Sequence, residues 1–366
     1  MATRIRPLQR RPQARGPEPR TFAAAALAAL VLGLLPLAAV AAPPFGAGSQ
    51  DALRTGGPQA ALILDLWRLL LAVCGVVFAA VMAAFGVALW RARRGTRDTP
   101  PELQGPLRGE PRSARLVAAA TGASAVGLCG LIVASVLTDR ALARLPLSNA
   151  LHVELTAHQW WWQARYDDAD PSRTFETANE LHLPAGRPVL LTLHADDVIH
   201  SFWVPNLSGK KDLIPGRTAT LALRADVPGR YRGQCAEFCG LQHAGMALEV
   251  VVEPDAAYAA WAERQRRPAE PPTDPQAQRG QRLFLAGTCA MCHAIQGTDA
   301  AARRAPDLTH LAGRARLAAG TVPNGRAQLA AWIADPAAFK PGTNMPGHRY
   351  APEDLDALVA YLETLR

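Results

Sequence analysis

The sequence predicts a multidomain membrane protein with a transmembrane α-helical hairpin, an all-β sandwich or Greek-key barrel, and a small all-α domain at the C-terminus. Two long apolar runs, Leu66–Trp90 and Leu116–Leu137, come first. About 100 residues of short apolar runs follow, separated by Pro, Gly and Asp clusters, as in compact β domains. A Pro- and Glu-rich stretch, Pro268–Pro275, then separates a last unit with helical apolar patterns near both of its ends.

Residues 1–41 have the pattern of a secretory signal peptide. Six Arg precede an apolar run, Phe22–Val40, which ends in the small-residue sequence Ala39-Val40-Ala41. We expect cleavage after Ala41, which leaves 42–65 as an exported N-terminal segment. An uncleaved anchor helix is the alternative, because Phe22–Val40 is long for the apolar part of a signal.

Residues 66–137 are predicted to form the transmembrane hairpin. Each apolar run is long enough to span a bilayer, which takes about 20 residues. A buried helical hairpin of a soluble protein is the alternative, but neither run has a polar face. The connecting segment 91–115 carries seven Arg against three acidic residues, and Arg-rich short loops stay cytoplasmic. Everything after the second run is therefore predicted to face outward.

The net charge does not indicate a nucleic-acid-binding protein. The formal charge is +8, but residues 1–41 contribute +5 and the segment 91–115 contributes +4, which leaves about −1 for the rest. The basic pI therefore reflects the targeting region and one loop. No basic stripe interleaved with aromatic residues occurs in the predicted soluble parts.

The segment Gln234–Met246 carries a dense set of soft metal donors. Two thiols, an imidazole and a thioether suit copper better than a hard cation, and two thiolates this close can bridge two copper ions. A second histidine from Val198–Phe202 and one backbone carbonyl would complete the ligand set of such a two-copper centre. The predicted ligands are His200, Cys235, Glu237 (through its carbonyl), Cys239, His243 and Met246. A plain disulfide is the alternative in an exported domain.

The segment Cys289–His293 is a C-x-x-C-H motif, the attachment pattern of c-type haem. Cys289 and Cys292 would bind the haem covalently, and His293 would be an axial ligand of the iron. The alternatives are a redox disulfide or half of a zinc site, but no second Cys/His pair lies nearby to complete the latter.

The second axial ligand is predicted to be Met345, in the late segment Lys340–Pro346. Met291 and His348 could compete for this position. Met291 is too close to the attachment motif to reach the far face of a haem, and we expect His348 to be exposed. For Arg314, pairing with a haem propionate and a solvated surface position both remain open.

Several of these stretches resemble subunit II of haem-copper cytochrome c oxidases: His158–Trp160, Val198–Phe202, Ile214–Arg217 and Gly233–Met246. The resemblance implies a CuA-containing, cupredoxin-like domain over 138–254, a linker over 255–275, and a cytochrome c domain over 276–366, a caa3-type fusion. It also implies that Trp160, as an exposed indole above the copper, is the site of electron entry. The Glu237 side chain would help to hold Mg²⁺ at the interface with subunit I.

The resemblance further implies the function of the whole assembly. Electrons would pass from a soluble or membrane-bound cytochrome c, or another respiratory donor, through haem c and CuA to the haems of subunit I. Oxygen would there be reduced to water, coupled to proton translocation. Subunits I and III are the implied partners. The implied location is the bacterial inner membrane, with both soluble domains on the periplasmic side.

The resemblance is weakest in the loop Pro100–Ser113, where Glu110 and Glu102 are the candidates for a glutamate at a proton path. Two other classes of function remain open from the residues. A membrane-anchored redox carrier or copper sensor would lack an oxidase partner. A nitrous-oxide-type reductase shares the copper pair but needs a large His-rich catalytic domain, for which the chain has no room.

Overall fold

The computed structural model of the chain describes residues 50–91 and 111–366. The predicted signal peptide, Glu102 and Glu110 lie outside the described residues. The chain divides into two compact units. Of the described residues, one unit includes the C-terminal part of the first apolar helix and the N-terminal part of the second, and the other includes residues 50–68 and Ala123–Arg366.

Two apolar helices are candidates for the predicted membrane spans. Helix α1 covers Pro58–Arg91 and helix α2 covers Pro111–Leu142, and both are long and apolar enough to cross a membrane. Large apolar side chains along them, such as Val76 and Trp90, are exposed on the protein itself. An aqueous surface would disfavour this arrangement, whereas hydrocarbon would favour it.

The segment before α1 is attached to the β domain rather than separate from it. The Gly56 N–H donates to the Asn206 carbonyl at 2.7 Å, and the Asp226 N–H donates to the Gly56 carbonyl at 2.8 Å. The Asn206 side chain, fully buried, also donates to the carbonyls of Asp51 and Arg54. Residues 51–56 of the predicted exported segment thus pack on the following domain.

The β domain is a sandwich of two five-stranded sheets. One sheet has the strand order β3-β2-β1-β5-β8, and the other has the order β4-β10-β9-β6-β7. The strands are β1 Leu151–His158, β2 Trp161–Tyr166, β3 Phe175–Ala178, β4 Glu180–Pro184, β5 Pro188–Ala195, β6 His200–Trp203, β7 Lys211–Leu213, β8 Ala219–Arg224, β9 Gly229–Cys235 and β10 Ala247–Glu253. The predicted cupredoxin-like architecture is confirmed.

Apolar side chains at every second position of the strands fill the space between the sheets. In β1 every second residue is buried, because successive side chains point to opposite faces of a sheet. The pairs β1–β5 and β4–β10 are parallel, and the other strand pairs are antiparallel. The buried aromatic residues Trp162, Tyr166 and Tyr231 occupy the core between the sheets.

The first half of the predicted linker 255–275 is a helix, which corrects that boundary. Helix α3 covers Asp255–Gln265, and its Tyr258 and Trp261 are buried in the core of the β domain. The Trp261 ring stacks on His182 with a centroid distance of 4.0 Å. An apolar spacing of three to four residues buries one face of a helix, so α3 belongs to the copper domain and the linker begins after it.

The C-terminal domain is mainly helical, as predicted. Its helices are α4 Pro275–Ala286, α5 Arg326–Ala334, α6 Pro336–Phe339 and α7 Pro352–Leu362, and a two-stranded ribbon pairs β11 Arg316–Leu317 with β12 Val322–Pro323. Asp274 caps α4 by accepting the Ala277 N–H at 2.9 Å. Helices α4 and α7 pack together, with Phe284 against Tyr361.

Candidate metal and haem sites

The loop between β9 and β10 carries most of the predicted copper ligands. β9 ends at Cys235 and β10 begins directly after Met246. The Cys235 N–H donates to the Met246 carbonyl at 3.0 Å, so the two ends of the loop lie side by side. β6 begins at His200 and pairs with β9, where Phe202 lies opposite Cys235. Strand pairing therefore brings residues 35 positions apart into one cluster.

Cys235 lies against two of the predicted donors. Its Sγ is 3.8 Å from His200 Nδ1 and 3.1 Å from the Glu237 carbonyl oxygen. The donor atoms of His200, Cys235 and Cys239 all lie within 4.8 Å of one another. His200 is fully buried and both thiols are almost so. Water is thus excluded from the centre of the cluster.

Cys239 lies against the remaining two donors. Its Sγ is 3.7 Å from His243 Nδ1 and 3.9 Å from Met246 Sδ. The six groups together offer two sulfurs, two imidazole nitrogens, one thioether and one carbonyl oxygen. This donor set fits copper and contains no carboxylate that would favour a hard cation.

The electrostatics of the cluster favour one thiolate. A hydrogen bond from Cys239, supported by His200, lowers the pKa of Cys235, and the same interaction raises the pKa of Cys239. Burial alone would lower the pKa of His200, but hydrogen bonds to Cys235 and Asp197 outweigh it and raise that pKa. One negative charge is therefore shared between two sulfurs, the kind of donor that a soft cation binds.

The attachment motif in the C-terminal domain has the local geometry that a proximal histidine needs. Residues Thr288–Met291 form a 3₁₀ turn, and the His293 N–H donates to the Cys289 carbonyl at 3.0 Å. His293 Nδ1 lies 2.7 Å from the Pro306 carbonyl, so it is the protonated nitrogen. Burial lowers the pKa of His293, which keeps the ring neutral and leaves Nε2 as a metal donor.

Arg314 is buried, which excludes a solvated surface position. Its Nη2 donates to the Asp307 carbonyl at 2.5 Å, whereas its Nε has no hydrogen-bond partner within the described part of the chain. A buried guanidinium without a carboxylate hydrogen bond is costly. An acidic group such as a haem propionate fits this position.

Two family models match the soluble domains. Residues 168–254 match the cytochrome c oxidase subunit II periplasmic domain, and residues 277–366 match cytochrome c. Cytochrome c oxidase subunit 2 of Alkalihalophilus pseudofirmus is 34% identical over 330 residues, covering 88% of this chain and 92% of the relative. The chain belongs to the cytochrome c oxidase subunit 2 family.

Other relatives match parts of this subunit 2 chain. Cytochrome c oxidase subunit 2 of Bacillus subtilis is 31% identical over 229 residues, covering 60% of this chain and 63% of the relative. A crystal structure of the periplasmic domain of subunit II of cytochrome oxidase (CoxB) of Bradyrhizobium japonicum is 30% identical. It covers 32% of this chain and 93% of that one, with a TM-score of 0.30.

Family membership confirms several predictions at once. The chain is a subunit of an oxidoreductase complex, and it carries a cytochrome c domain fused after the periplasmic domain. The two families imply CuA copper and haem c, and other oxidase subunits are implied as partners. With its two candidate membrane helices, the protein is membrane-anchored and its soluble domains lie on the outer side.

Trp160 does not have the exposed indole that the sequence predicted. The side chain is only 8% exposed, and its Nε1 donates to the Cys239 carbonyl at 2.9 Å. The prediction was wrong on exposure because the C-terminal domain covers this face, with Lys340 Nζ 2.9 Å from the Trp160 carbonyl. The hydrogen bond nevertheless connects the indole directly to a predicted ligand.

The two remaining side-chain assignments stay predictions. The half-buried Glu237 carboxylate lies 3.3 Å from the Phe238 N–H of its own loop. Met345 lies half-buried between α6 and α7, in a segment that ends with Tyr350 OH 3.9 Å from Cys289 Sγ. The segment therefore returns toward the attachment motif. Met291, by contrast, is exposed.

Asp197 is a residue of the copper site that the sequence analysis missed. Its Oδ1 lies 2.8 Å from His200 Nε2, and it also accepts the N–H groups of Val198 and Gln159. Holding Nε2 in a hydrogen bond directs Nδ1 toward the sulfurs, as partners of ligating histidines commonly do. An acidic residue three positions before His200 was the signal available in the sequence.

Proposed function

We propose that this subunit 2 chain relays electrons from a covalently attached haem c to a dinuclear CuA centre and on to the oxygen-reducing haems of subunit I. The observation that carries the proposal is the contact of six soft or neutral donors around two buried thiols. Copper bound there would exchange single electrons, and haem c would do the same at the C-terminal domain.

The chain's own residues would fix the copper site in advance. Cys235, Cys239, His200, His243, Met246 and the Glu237 carbonyl would hold the copper ions, which would supply one-electron redox chemistry. Asp197 holds His200 in one orientation through a bond of 2.8 Å, and the β-sheet holds both ends of the loop. A rigid donor set supports fast electron exchange because little has to rearrange between oxidation states.

Residues of the C-terminal domain would play the same part for haem. Cys289 and Cys292 would form the covalent attachments, and His293 would bind the iron through Nε2. Met345 would be the opposite ligand, which raises the haem potential relative to other ligand pairs. The Pro306 carbonyl orients His293 at 2.7 Å. Mg²⁺ at the Glu237 carboxylate belongs to the same proposal.

The implied setting is the periplasmic side of a bacterial inner membrane. Subunits I and III are the proposed partners, and a cytochrome c or another respiratory carrier is the proposed external donor. The oxygen-reducing site, and the proton translocation coupled to it, would lie in the partner subunits. This chain would supply the electrons.

The copper assignment is tested on the purified membrane complex by electron paramagnetic resonance. The wild-type complex should give a mixed-valence two-copper signal, and Cys235→Ser should abolish it. Cys129→Ser is the matched control, because Cys129 is exposed in the apolar helix α2 and should leave the signal intact. A wild-type complex without the mixed-valence signal would overturn the copper assignment.

The haem assignment is tested by a redox titration of the same complex. Met345→Leu should lower the potential of the covalently bound haem, because methionine ligation raises it. Met291→Leu is the matched control, since Met291 is 69% exposed. Equal potentials in Met345→Leu and in the wild type would reject Met345 as the axial ligand.

A further inference from the structure

The haem domain is docked on the loop that carries the copper ligands. The Ala247 N–H donates to the Ala319 carbonyl at 3.0 Å, and Gln242 Nε2 donates to the Pro341 carbonyl at 2.9 Å. Thr321 Oγ1 adds a bond of 3.2 Å to the Gly245 carbonyl. Two segments of the haem domain, residues 318–321 and 340–342, therefore contact the residues directly around Met246.

Lys340 lies at the centre of this contact and is almost completely buried. Its ammonium donates to the Trp160 carbonyl and to the Gly245 carbonyl, each at 2.9 Å, and to the Ala318 carbonyl at 3.3 Å. The first two acceptors belong to the copper domain and the third to the haem domain. All three N–H donors of the ammonium are thus used, which reduces the cost of burying its charge, although burial still lowers the pKa of Lys340 to about 8.

The same docked surface covers the indole of Trp160. A Cβ atom built on Gly342 would lie 3.7 Å from Trp160 Cη2 and 2.9 Å from Leu241 Cδ1. The backbone of Gly342 therefore passes directly over the ring edge, with a left-handed φ of +82° that favours glycine. A second protein cannot reach the indole while this segment occupies the position.

We propose that Lys340 is a positioning residue that holds the haem domain on the copper domain, so that the docked domain closes Trp160 to external protein donors. The fused haem is then the one route by which a soluble cytochrome delivers electrons to the copper pair. This inference rests on the proposed relay function, but the docking itself is measurable without electron transfer.

Three observations favour Lys340 as the centre of the docking. Among the described residues at the contact, it is the one whose side chain donates to backbone carbonyls of both domains. Its partners are carbonyls rather than carboxylates, so the bond does not weaken through titration of an acidic partner. Replacing it with an apolar side chain would leave buried carbonyls without a donor, a loss that costs more than a typical exposed hydrogen bond.

The first experiment measures hydrogen–deuterium exchange on the intact oxidase complex, by mass spectrometry. The reporter is the Ala247 amide, which bonds to the Ala319 carbonyl of the other domain. Lys340→Met should accelerate exchange of the peptide that contains Ala247 by about tenfold or more. Lys210→Met is the matched control, because Lys210 is half-exposed and pairs only with Asp212 among the ion pairs of the described chain.

The second experiment follows reduction of the same complexes by a soluble reduced class I cytochrome c in stopped flow. In the wild type, the copper should be reduced only after the haem. In Lys340→Met, haem-to-copper transfer should slow by about tenfold, in step with the loss of the docked population, and direct reduction of the copper should appear. The reduction potential of the haem should stay unchanged, whereas damage to the haem site would shift it.

A milder variant tests the domain contact in case the Lys340→Met subunit does not assemble into the oxidase complex. Gln242→Ala removes one exposed hydrogen bond to Pro341, and it should accelerate Ala247 exchange by about threefold. Wild-type exchange in Lys340→Met would overturn the role of Lys340, wild-type exchange in Gln242→Ala would overturn the docked contact at Pro341, and direct copper reduction in the wild type would overturn the closure of Trp160. A complex without copper or haem signals would instead refute the relay function. The docking of the two domains would then be tested by the hydrogen–deuterium exchange result alone.

Discussion

Gly280→Ala tests how closely the helices that frame the haem domain must approach. Gly280 lies in the middle of α4, where the helix crosses α7. A Cβ atom at this position would lie 1.9 Å from the Ala357 carbonyl oxygen, 2.6 Å from the carbonyl carbon and 2.8 Å from Tyr361 Cβ. Ordinary contacts between such atoms are about 3.5 Å, so the helices would have to separate by about 1.5 Å.

The magnitude follows from two opposing effects. Overpacking of this kind costs about 1–3 kcal/mol, and the upper end applies because the obstacle is backbone rather than a flexible side chain. Alanine recovers about 1 kcal/mol of helix propensity. A net loss of about 2 kcal/mol remains, which in a domain of this size lowers the melting temperature by roughly 8–16 °C.

The assay is thermal unfolding of the purified oxidase, followed through the haem absorbance of the C-terminal domain. Gly313→Ala is the matched control in the same domain, because no atom lies within 4 Å of a Cβ built at Gly313. The control should melt within about 2 °C of the wild type. A Gly280→Ala melting temperature that equals that of the control would show that the crossing is looser than the structure indicates.

Three further outcomes follow from buried polar groups and from charge. Tyr166→Phe should cost about 1–3 kcal/mol in urea unfolding, because the buried hydroxyl donates to the His182 carbonyl at 3.0 Å and accepts the His182 N–H at 2.7 Å. A loss well under 1 kcal/mol would contradict this. Burial lowers the pKa of His182, but bonds to Glu180 and Glu253 outweigh it and raise the pKa above 6.5. The stabilisation that these bonds give the folded state is complete below pH 6.5 and is lost as the pH rises through the folded-state pKa of His182. In His182→Leu, the denaturant midpoint should therefore fall less over this pH range than it does in the wild type. Haem-to-copper transfer should change little with ionic strength, since the two domains are tethered and Lys340 binds carbonyls. A steep fall in stopped-flow rate at high salt would reject this view.

The sequence predicts that most of the candidate copper ligands come together, because these residues are close in the chain. Cys235, Cys239, His243 and Met246 fall on one loop, and any fold that closes this loop gathers them. His200 was predictable as a candidate, but its position depends on the pairing of β6 with β9. Strand pairing across 35 residues has no local sequence signal. The donor set was therefore easier to predict than the frame that holds it.

Helix α3 and Asp197 show what the sequence could not supply. The stretch Asp255–Gln265 has an ordinary helical pattern, but its position after the last strand makes it resemble a connection. Its burial depends on Trp261 stacking against His182 of β4, a contact between distant parts of the chain. Asp197 has only its proximity to His200 in the sequence, and a hydrogen bond to a ring nitrogen becomes visible only when both side chains are placed.

The burial of Trp160 was mispredicted because it depends on two domains together. Within the copper domain, the indole lies against the ligand loop, where its Nε1 donates to the Cys239 carbonyl. The covering residues are 180 or more positions away, at Lys340 and Gly342. No periodicity or motif in either segment indicates that contact. The sequence of one domain therefore predicts the exposure of its surface residues as though the other domain were absent.

The tether favours the docked position of the haem domain. Hydrogen bonds of Lys340, Gln242 and Ala247 cross between the two domains, as does the bond from the Ala315 N–H to the Glu180 carboxylate. Each contributes about 1 kcal/mol or somewhat more. A short linker after α3 raises the effective concentration of one domain near the other to about the millimolar range, so these bonds can hold the domains together at a lower intrinsic affinity than two separate proteins would need.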